Sequence, residues 1–180
     1  MLLLQQPEMT ENYFFNVLET KDWEITKSLT LEALLDSPQA FSSSYQKNLE
    51  YSDEKWKSYS TPIKSGSIAN TVVVFYKTGQ PIGKAILIIR DSHKAEIAGM
   101  YINPQHRGRG LGRKLIEEAI ESIPRDQDIT LLEMSVNTLQ IPAYKLYSSM
   151  GFSKVQTEKF VLGNGKEYEV ITLQKQNPNQ

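Results

Sequence analysis

The 180-residue sequence contains no cysteine and only two histidines, His93 and His106. Without thiols it can build neither a disulfide framework nor a sulfur-ligated zinc site, and it has no thiolate nucleophile. Two imidazoles leave almost no material for a Ser-His-Asp triad or a multi-histidine centre, so no metal is expected. An excess of one charge is missing as well: 20 basic and 21 acidic residues leave a net charge of −1. That removes the electrostatic footprint on which most binders of nucleic acid or anionic membrane depend. No apolar run approaches the ~18 residues of a membrane span. The opening Met1-Leu2-Leu3-Leu4 lacks both the basic region and the length of a secretory signal. Internal repeats are absent, and the polar tail from Gln174 is the sole biased stretch. A cytoplasmic protein with no nucleic-acid or membrane partner is the expectation.

What is present suffices for a packed core. Hydrophobic residues make up 39% and charged residues 23% of the chain, an ordinary globular balance, and the length predicts one domain over 1–180. Its core should run from about 12 to 174, with residues 1–10 loose and 175–180 disordered. Residues 12–19 read as a strand. Asp22 then caps a helix to about Leu35, with Ile25, Leu29, Leu31, Leu34 and Leu35 as its apolar face, and Ser37-Pro38 stops it. Residues 40–51 show no period and read as a loop; Ser52 caps a short helix carrying Trp56 and Tyr59. Residues 71–77, 82–90 and 94–102 are β-branched runs joined by tight turns, an antiparallel meander in which Gly99 marks a bulge or a close backbone approach. A helix over 110–123 presents Leu111, Leu115, Ile116, Ala119 and Ile120 on one side and ends at Pro124. A strand over 129–136, a helix over 142–150 and a hairpin around Gly163-Asn164-Gly165 complete the chain. The order β-α-α-β-β-β-α-β-α-β-β predicts an α/β (α+β) fold, a mixed and mostly antiparallel sheet with helices on both faces.

The chemically informative stretch is Asn103-Pro104-Gln105-His106-Arg107-Gly108-Arg109-Gly110-Leu111-Gly112-Arg113-Lys114, where an apolar strand turns into an amphipathic helix. Gly108, Gly110 and Gly112 let several backbone N–H groups converge without a Cβ in the way. The positive end of the helix dipole lies at the same place, so the loop suits an anion such as a pyrophosphate. Arg107, Arg109, Arg113 and Lys114 add charge around it; His106 is expected to point outward and His93 to sit beside a hairpin turn, neither with a role. The dinucleotide fingerprint fails because position 113 is Arg, and the P-loop pattern fails because no Gly-Lys-Ser/Thr follows in register. A nucleic-acid patch is disfavoured by Glu117, Glu118 and Glu121 on the same helix and by the lack of interleaved aromatics.

Gln105-x-x-Gly108-x-Gly110 resembles the Gln/Arg-x-x-Gly-x-Gly/Ala motif of the GCN5-related N-acetyltransferases (GNAT). A second segment, Gln140–Phe152, resembles that family's later motif, Asn-x-x-Ala-x-x-Leu-Tyr followed by Gly-Phe. Ala143, Leu146, Tyr147, Gly151 and Phe152 fall in register. The resemblance implies direct transfer of an acetyl group from acetyl-coenzyme A to a primary amine of a small molecule or peptide. It implies that Gln105, Arg107, Gly108, Arg109, Gly110, Gly112 and Arg113 hold the pyrophosphate. Met100, Tyr101 and Ile102 would hold the pantetheine by a free backbone edge, with a main-chain N–H near Met100 as oxyanion donor. The family's asparagine falls at Gln140 here, while Asn137 ends the preceding strand, so either amide is a candidate for the pantetheine. Tyr147 is the candidate acid for the departing thiolate, or else a packing tyrosine; Tyr144, one turn earlier, could share the role. Glu96 is either the base, directly or through a water, or a solvent-facing strand residue. Acceptor pockets of the family are built by the first two helices and the last hairpin; here that region offers Phe41, Tyr45, Tyr51 and Trp56 and the acids Glu50, Asp53 and Glu54. A monomer or a homodimer fits equally. The reading from another class is a non-catalytic acyl-coenzyme A-binding module that regulates a partner.

Overall fold

β-branched runs in the middle of the chain and amphipathic runs on either side of them produce a sheet covered by helices. A computed structural model describes residues 12–63 and 68–179. The chain runs β1 (Tyr13–Val17), α1 (Trp23–Asp36), α2 (Tyr45–Leu49), α3 (Asp53–Ser60), β2 (Ala69–Tyr76), β3 (Pro81–Ile89), β4 (Lys94–Ile102), α4 (Leu111–Glu121), β5 (Leu131–Asn137), α5 (Ile141–Ser149), β6 (Ser153–Val161) and β7 (Glu167–Gln176). The seven strands form one sheet in the order β1-β2-β3-β4-β5-β7-β6. Every pairing is antiparallel except β4 with β5. No helix among the described residues is long and apolar enough to cross a membrane.

Alternation along β2 assigns the helices to opposite faces. Val72 joins Ala85, Leu87, Leu115, Ile116 and Ala119 in the cluster under α4. Its neighbour Val73 joins Leu18 and Leu29 in the cluster under α1. The parallel pair is short: Lys94, Ala95 and Glu96 lie opposite Leu131, Leu132 and Glu133, and there the register ends. β4 continues to Ile102 on β3 alone, while β5 continues to Asn137 on β7. The sheet therefore splits along its middle, and the site lies at that split.

Three expectations differ from what forms. Residues 40–51 are not one loop: α2 forms there, its Ser44 hydroxyl accepting from the Lys47 N–H at 3.3 Å. Capping, with no apolar period, makes that helix. On α1, Leu29 and Leu34 are buried but Leu35 is 64% exposed, and Thr26 and Ala33 take the remaining inner positions. Thr26 is tolerated inside because its hydroxyl meets Ser60 Oγ at 2.6 Å. The tail expected to fray is strand through Gln176, which pairs with Leu131. Asn177 then anchors the chain, its amide donating to the Ile129 carbonyl at 2.6 Å. Residues 1–10 and Gln180 lie outside the described residues.

Candidate active site

The end of β4 is built so that one of its edges faces the split. The Asn103 N–H reaches the Ile82 carbonyl at 2.7 Å, and Tyr101 lies opposite Lys84, so both turn their backbone groups toward β3. Ile102, between them, turns its carbonyl the other way, where Arg107 Nε donates to it at 2.8 Å. Before that comes the bulge expected at Gly99: the register slips between Lys84 and Ile86, and Gly99 has φ +60°. The backbone angle favours glycine, and a Cβ there would stand 3.1 Å from Lys84 Nζ, a tight contact with the end of that side chain.

Beside this edge lies a cavity of about 560 Å³. Met100, Tyr101 and Ile102 form one wall, and Gln140, Ala143, Leu146 and Tyr147 form the wall opposite. Arg107, Gly108, Gly110, Gly112 and Arg113 close one end; Ser37, Ala40 and Phe41, just after α1, overhang it. Gly108 and Gly110 are left-handed at φ +73° and +76°. No atom lies within 4 Å of a Cβ built on Gly108, so the loop is open to a ligand there. Gly112 serves a different purpose: a Cβ on it would lie 3.1 Å from Leu146, and its absence lets α4 approach α5. Gly110 caps α4 without a side-chain hydrogen bond, leaving the first-turn N–H groups available to an anion. Converging donors, a dipole end and two arginines fit a pyrophosphate.

The structure thus brings Met100, Tyr101, Ile102, Arg107, Gly108, Gly110, Gly112, Arg113, Gln140 and Tyr147 around one cavity. Gln105, Arg109, Asn137, Tyr144 and Glu96 are not among its lining residues. Asn137 spends its amide inside the protein, donating to the Gln39 carbonyl at 2.6 Å and accepting from the Leu139 N–H at 2.9 Å. Gln140, unlike Asn137, is among the residues that line the cavity. Tyr144 packs against the main core. The Glu96 carboxylate is held by Arg90 in an ion pair. His106 does not point outward: it lines the cavity, and its Nδ1 lies 3.3 Å from the Tyr13 hydroxyl. Tyr13 and Tyr76, from strands distant in sequence, draw the imidazole inward.

Tyr147 is only 6% exposed, and its hydroxyl has no hydrogen bond to any described residue. Burial pushes its pKa up to about 12, so the phenol stays protonated across the physiological range. Glu32 was not anticipated. Its Oε1 accepts from the Tyr101 hydroxyl at 2.8 Å and from Asn103 Nδ2 at 2.6 Å. Burial, reinforced by Glu32, raises the Tyr101 pKa. Burial opposes ionisation of Asp36, yet its hydrogen bond with Arg107 prevails and holds the carboxyl below its ordinary range. Glu32 and Asp36 stand four residues apart on one face of α1, which the sequence reveals, but their partners 70 residues away it does not. Together they fasten α1 to the glycine loop.

Of the residues expected to shape an acceptor pocket, Phe41 lines the cavity. The β6–β7 turn supports it: the Gly163 N–H donates to the Phe41 carbonyl at 2.6 Å. Trp56 is instead buried, packed against the half-buried Tyr51 and Tyr59 in an aromatic cluster. Glu50, Asp53 and Glu54 are exposed.

Comparison with known proteins follows the same lines. A sequence model of the acetyltransferase (GNAT) family matches residues 31–152. N-acetyltransferase 8B of Rattus norvegicus is 38% identical over 53 residues, which span 29% of this chain and 23% of that protein. Among solved structures, an acetyltransferase of the GNAT family from Streptococcus pneumoniae superposes with a TM-score of 0.75 at 22% identity, covering 91% of this chain and 99% of that one. The protein yncA of Salmonella typhimurium, solved with its cofactor acetyl-CoA, gives 0.74 at 18% identity over 92% and 94%. A spermidine N-acetyltransferase from Vibrio cholerae, in complex with CoA and spermine, gives 0.72 at 20% over 94% and 98%. At these identities the structures speak for the fold, whereas the family model covers most of the chain. The chain belongs to the acetyltransferase (GNAT) family.

Proposed function

We propose that this protein is an acetyl-coenzyme A-dependent N-acetyltransferase that acylates a primary amine of a small molecule or peptide directly. The carrying observation is the cavity at the split of the sheet, with an anion-binding loop at one end and a buried, protonated Tyr147 in its wall. Acetyl-coenzyme A supplies an acetyl group activated as a thioester. The loop from Arg107 to Arg113 holds its pyrophosphate by backbone N–H groups and arginines, with Gln105 and Arg109 at the rim. The free edge of β4 and the amide of Gln140 hold the pantetheine. The Met100 N–H faces the carbonyl oxygen on which charge develops, and Tyr147 gives its proton to the sulfur that leaves. Glu96, held by Arg90, orients a water that carries the amine's proton away. The acceptor lies under Phe41, where the α1–α2 connection and the last hairpin meet. Balanced charge and the lack of cysteine support a cytoplasmic enzyme, monomer or homodimer, that uses neither metal nor nucleic acid.

The chain has no cysteine, so a thiol reagent reads coenzyme A release without background from the protein. With acetyl-coenzyme A and a panel of spermine, spermidine and a peptide with a free amino terminus, thiol release should match acetylated amine. Tight binding without release on any amine would instead establish an acyl-coenzyme A-binding module. The loop assignment is tested by Gly110→Asp, which adds a side chain and a negative charge against the anion. Affinity for acetyl-coenzyme A by calorimetry should fall about a hundredfold, or ~3 kcal/mol; unchanged affinity in a folded variant would refute the loop assignment.

A further inference from the structure

Lys84 is the one fully buried ion in the described structure that the chemistry above does not use. It is 1% exposed and makes no ion pair with any described residue. Its Nζ donates to the Gly99 carbonyl at 3.2 Å. Burying an ammonium without a counter-charge is costly, and a methionine would fill the same space. The contact it makes is with the bulge of β4, and the other half of that peptide is the N–H of Met100.

We propose that Lys84 orients and polarises the Gly99–Met100 peptide, so that the Met100 N–H is aimed and strengthened as the donor to the thioester oxygen. No cis peptide occurs among the described residues, so carbonyl and N–H point in opposite directions across this bond. Holding the Gly99 carbonyl fixes where the Met100 N–H points, which is away from the lysine, and Met100 itself lines the cavity. A cation on the carbonyl also draws electron density from the N–H, making it a stronger donor in a dry site. Gly99, at φ +60° and free of a Cβ, is what allows the carbonyl to tilt out of the ladder toward Nζ. Lys84 lies opposite Val73 of β2, on the α1 side of the sheet. The titratable and charged groups on that side include Tyr101 of β4, opposite Lys84, and Glu32 of α1, which are bonded to each other, and beyond them Asp36 of α1 paired with Arg107. Burial lowers the lysine's pKa to about 8, so its charge is present at pH 7 and largely gone by pH 9. Lys84 is accordingly a positioning residue, and the inference rests on the acetyltransferase reading of the cavity.

Two measurements test it without needing the acceptor. In the free protein, the carbonyl carbon of Gly99 should shift with a midpoint near pH 8 by NMR, and Lys84→Met should abolish that titration. With acetyl-coenzyme A labelled at the acetyl carbonyl, the infrared band should move to lower wavenumber on binding. Lys84→Met should lose most of that displacement while affinity for acetyl-coenzyme A stays within about twofold. Lys84→Gln, which keeps a neutral donor, should restore part of it and serves if the Met variant fails to fold. On an accepted amine, kcat should fall about tenfold, with KM for acetyl-coenzyme A little changed. A Gly99 carbonyl that does not titrate, or an identical bound band in wild type and variants, overturns the role of Lys84. Failure of wild type to bind acetyl-coenzyme A would overturn the functional reading beneath it as well.

Discussion

At the scale of single residues, the site depends on groups whose surroundings decide their protonation. Tyr147 is neutral because its phenolate would be buried, and it borders the cavity where a thiolate would depart. Phe keeps the ring and its packing, so Tyr147→Phe isolates the hydroxyl. The expected loss is about 10²–10⁴ in kcat, with affinity for acetyl-coenzyme A changing by only ~1 kcal/mol and the thermal midpoint held. A Tyr147→Phe enzyme with wild-type turnover would mean the thiolate leaves without this acid. With a pKa near 12, Tyr147 should also impose no alkaline limb on the rate profile below pH 10. Glu96 makes the opposite expectation. If it orients the proton-carrying water, Glu96→Gln should lower kcat/KM and remove the acidic limb. Its ion pair with Arg90 predicts that Arg90 is freed as well, so Arg90→Gln is the control. Should the acidic limb and the wild-type kcat/KM persist in Glu96→Gln, the residue serves β4 and not the proton.

At the scale of elements, what the sequence showed depended on whether a signal was local. The bulge at Gly99, the cap at Ser52 and the glycine loop opening α4 are local chemistry, and each stands where the residues indicate. The α2 helix went unseen because its stability comes from Ser44 and from Asn48, which bonds Ser43 Oγ at 2.6 Å, and not from an apolar stripe. Long-range placement was legible only through motif spacing. That is why the places of Met100, Gly110 and Tyr147 at the cavity are legible in the motifs, and those of His106 and Ser37 at the cavity and of Glu32 behind Tyr101 are not. A sharp case is Gly163, which reads as a turn glycine but is required by contact. A Cβ there would collide with the Ser43 carbonyl, which is backbone and cannot swing aside. Gly163→Ala should therefore push the β6–β7 turn off residues 41–43, costing on the order of 1–3 kcal/mol. Because Phe41 lines the cavity at that point, KM for the amine should rise more than KM for acetyl-coenzyme A. An unchanged thermal midpoint would show that the turn yields without cost, and equal effects on both substrates would remove the hairpin from acceptor binding.

At the scale of the whole molecule, the buried lysine sets a conflict between stability and the proposed chemistry. The folded Lys84 gives up its proton near pH 8, whereas an unfolded lysine holds it to about 10.5. Between those values the unfolded chain binds more protons, so this group's contribution to stability grows as pH rises. Below pH 8 the full penalty is present, on the order of 3 kcal/mol for a shift of this size. Lys84→Met removes that penalty along with one hydrogen bond to Gly99 worth ~1 kcal/mol. The variant should therefore be more stable than wild type by ~2 kcal/mol at pH 7 in urea denaturation. The advantage should shrink steadily toward pH 10, because there the wild-type lysine is neutral in its folded form. Tyr147 and Tyr101 pull the other way at alkaline pH, since their raised pKa values cost stability once unfolded tyrosines ionise. They do so equally in both proteins, so the difference between wild type and variant still isolates Lys84. A variant that is less stable at pH 7, or an advantage that does not depend on pH, would mean the ammonium is satisfied where it lies. If the variant gains stability while losing the polarised thioester band, the lysine is retained at a measurable cost to folding, for the sake of one peptide N–H in the cavity.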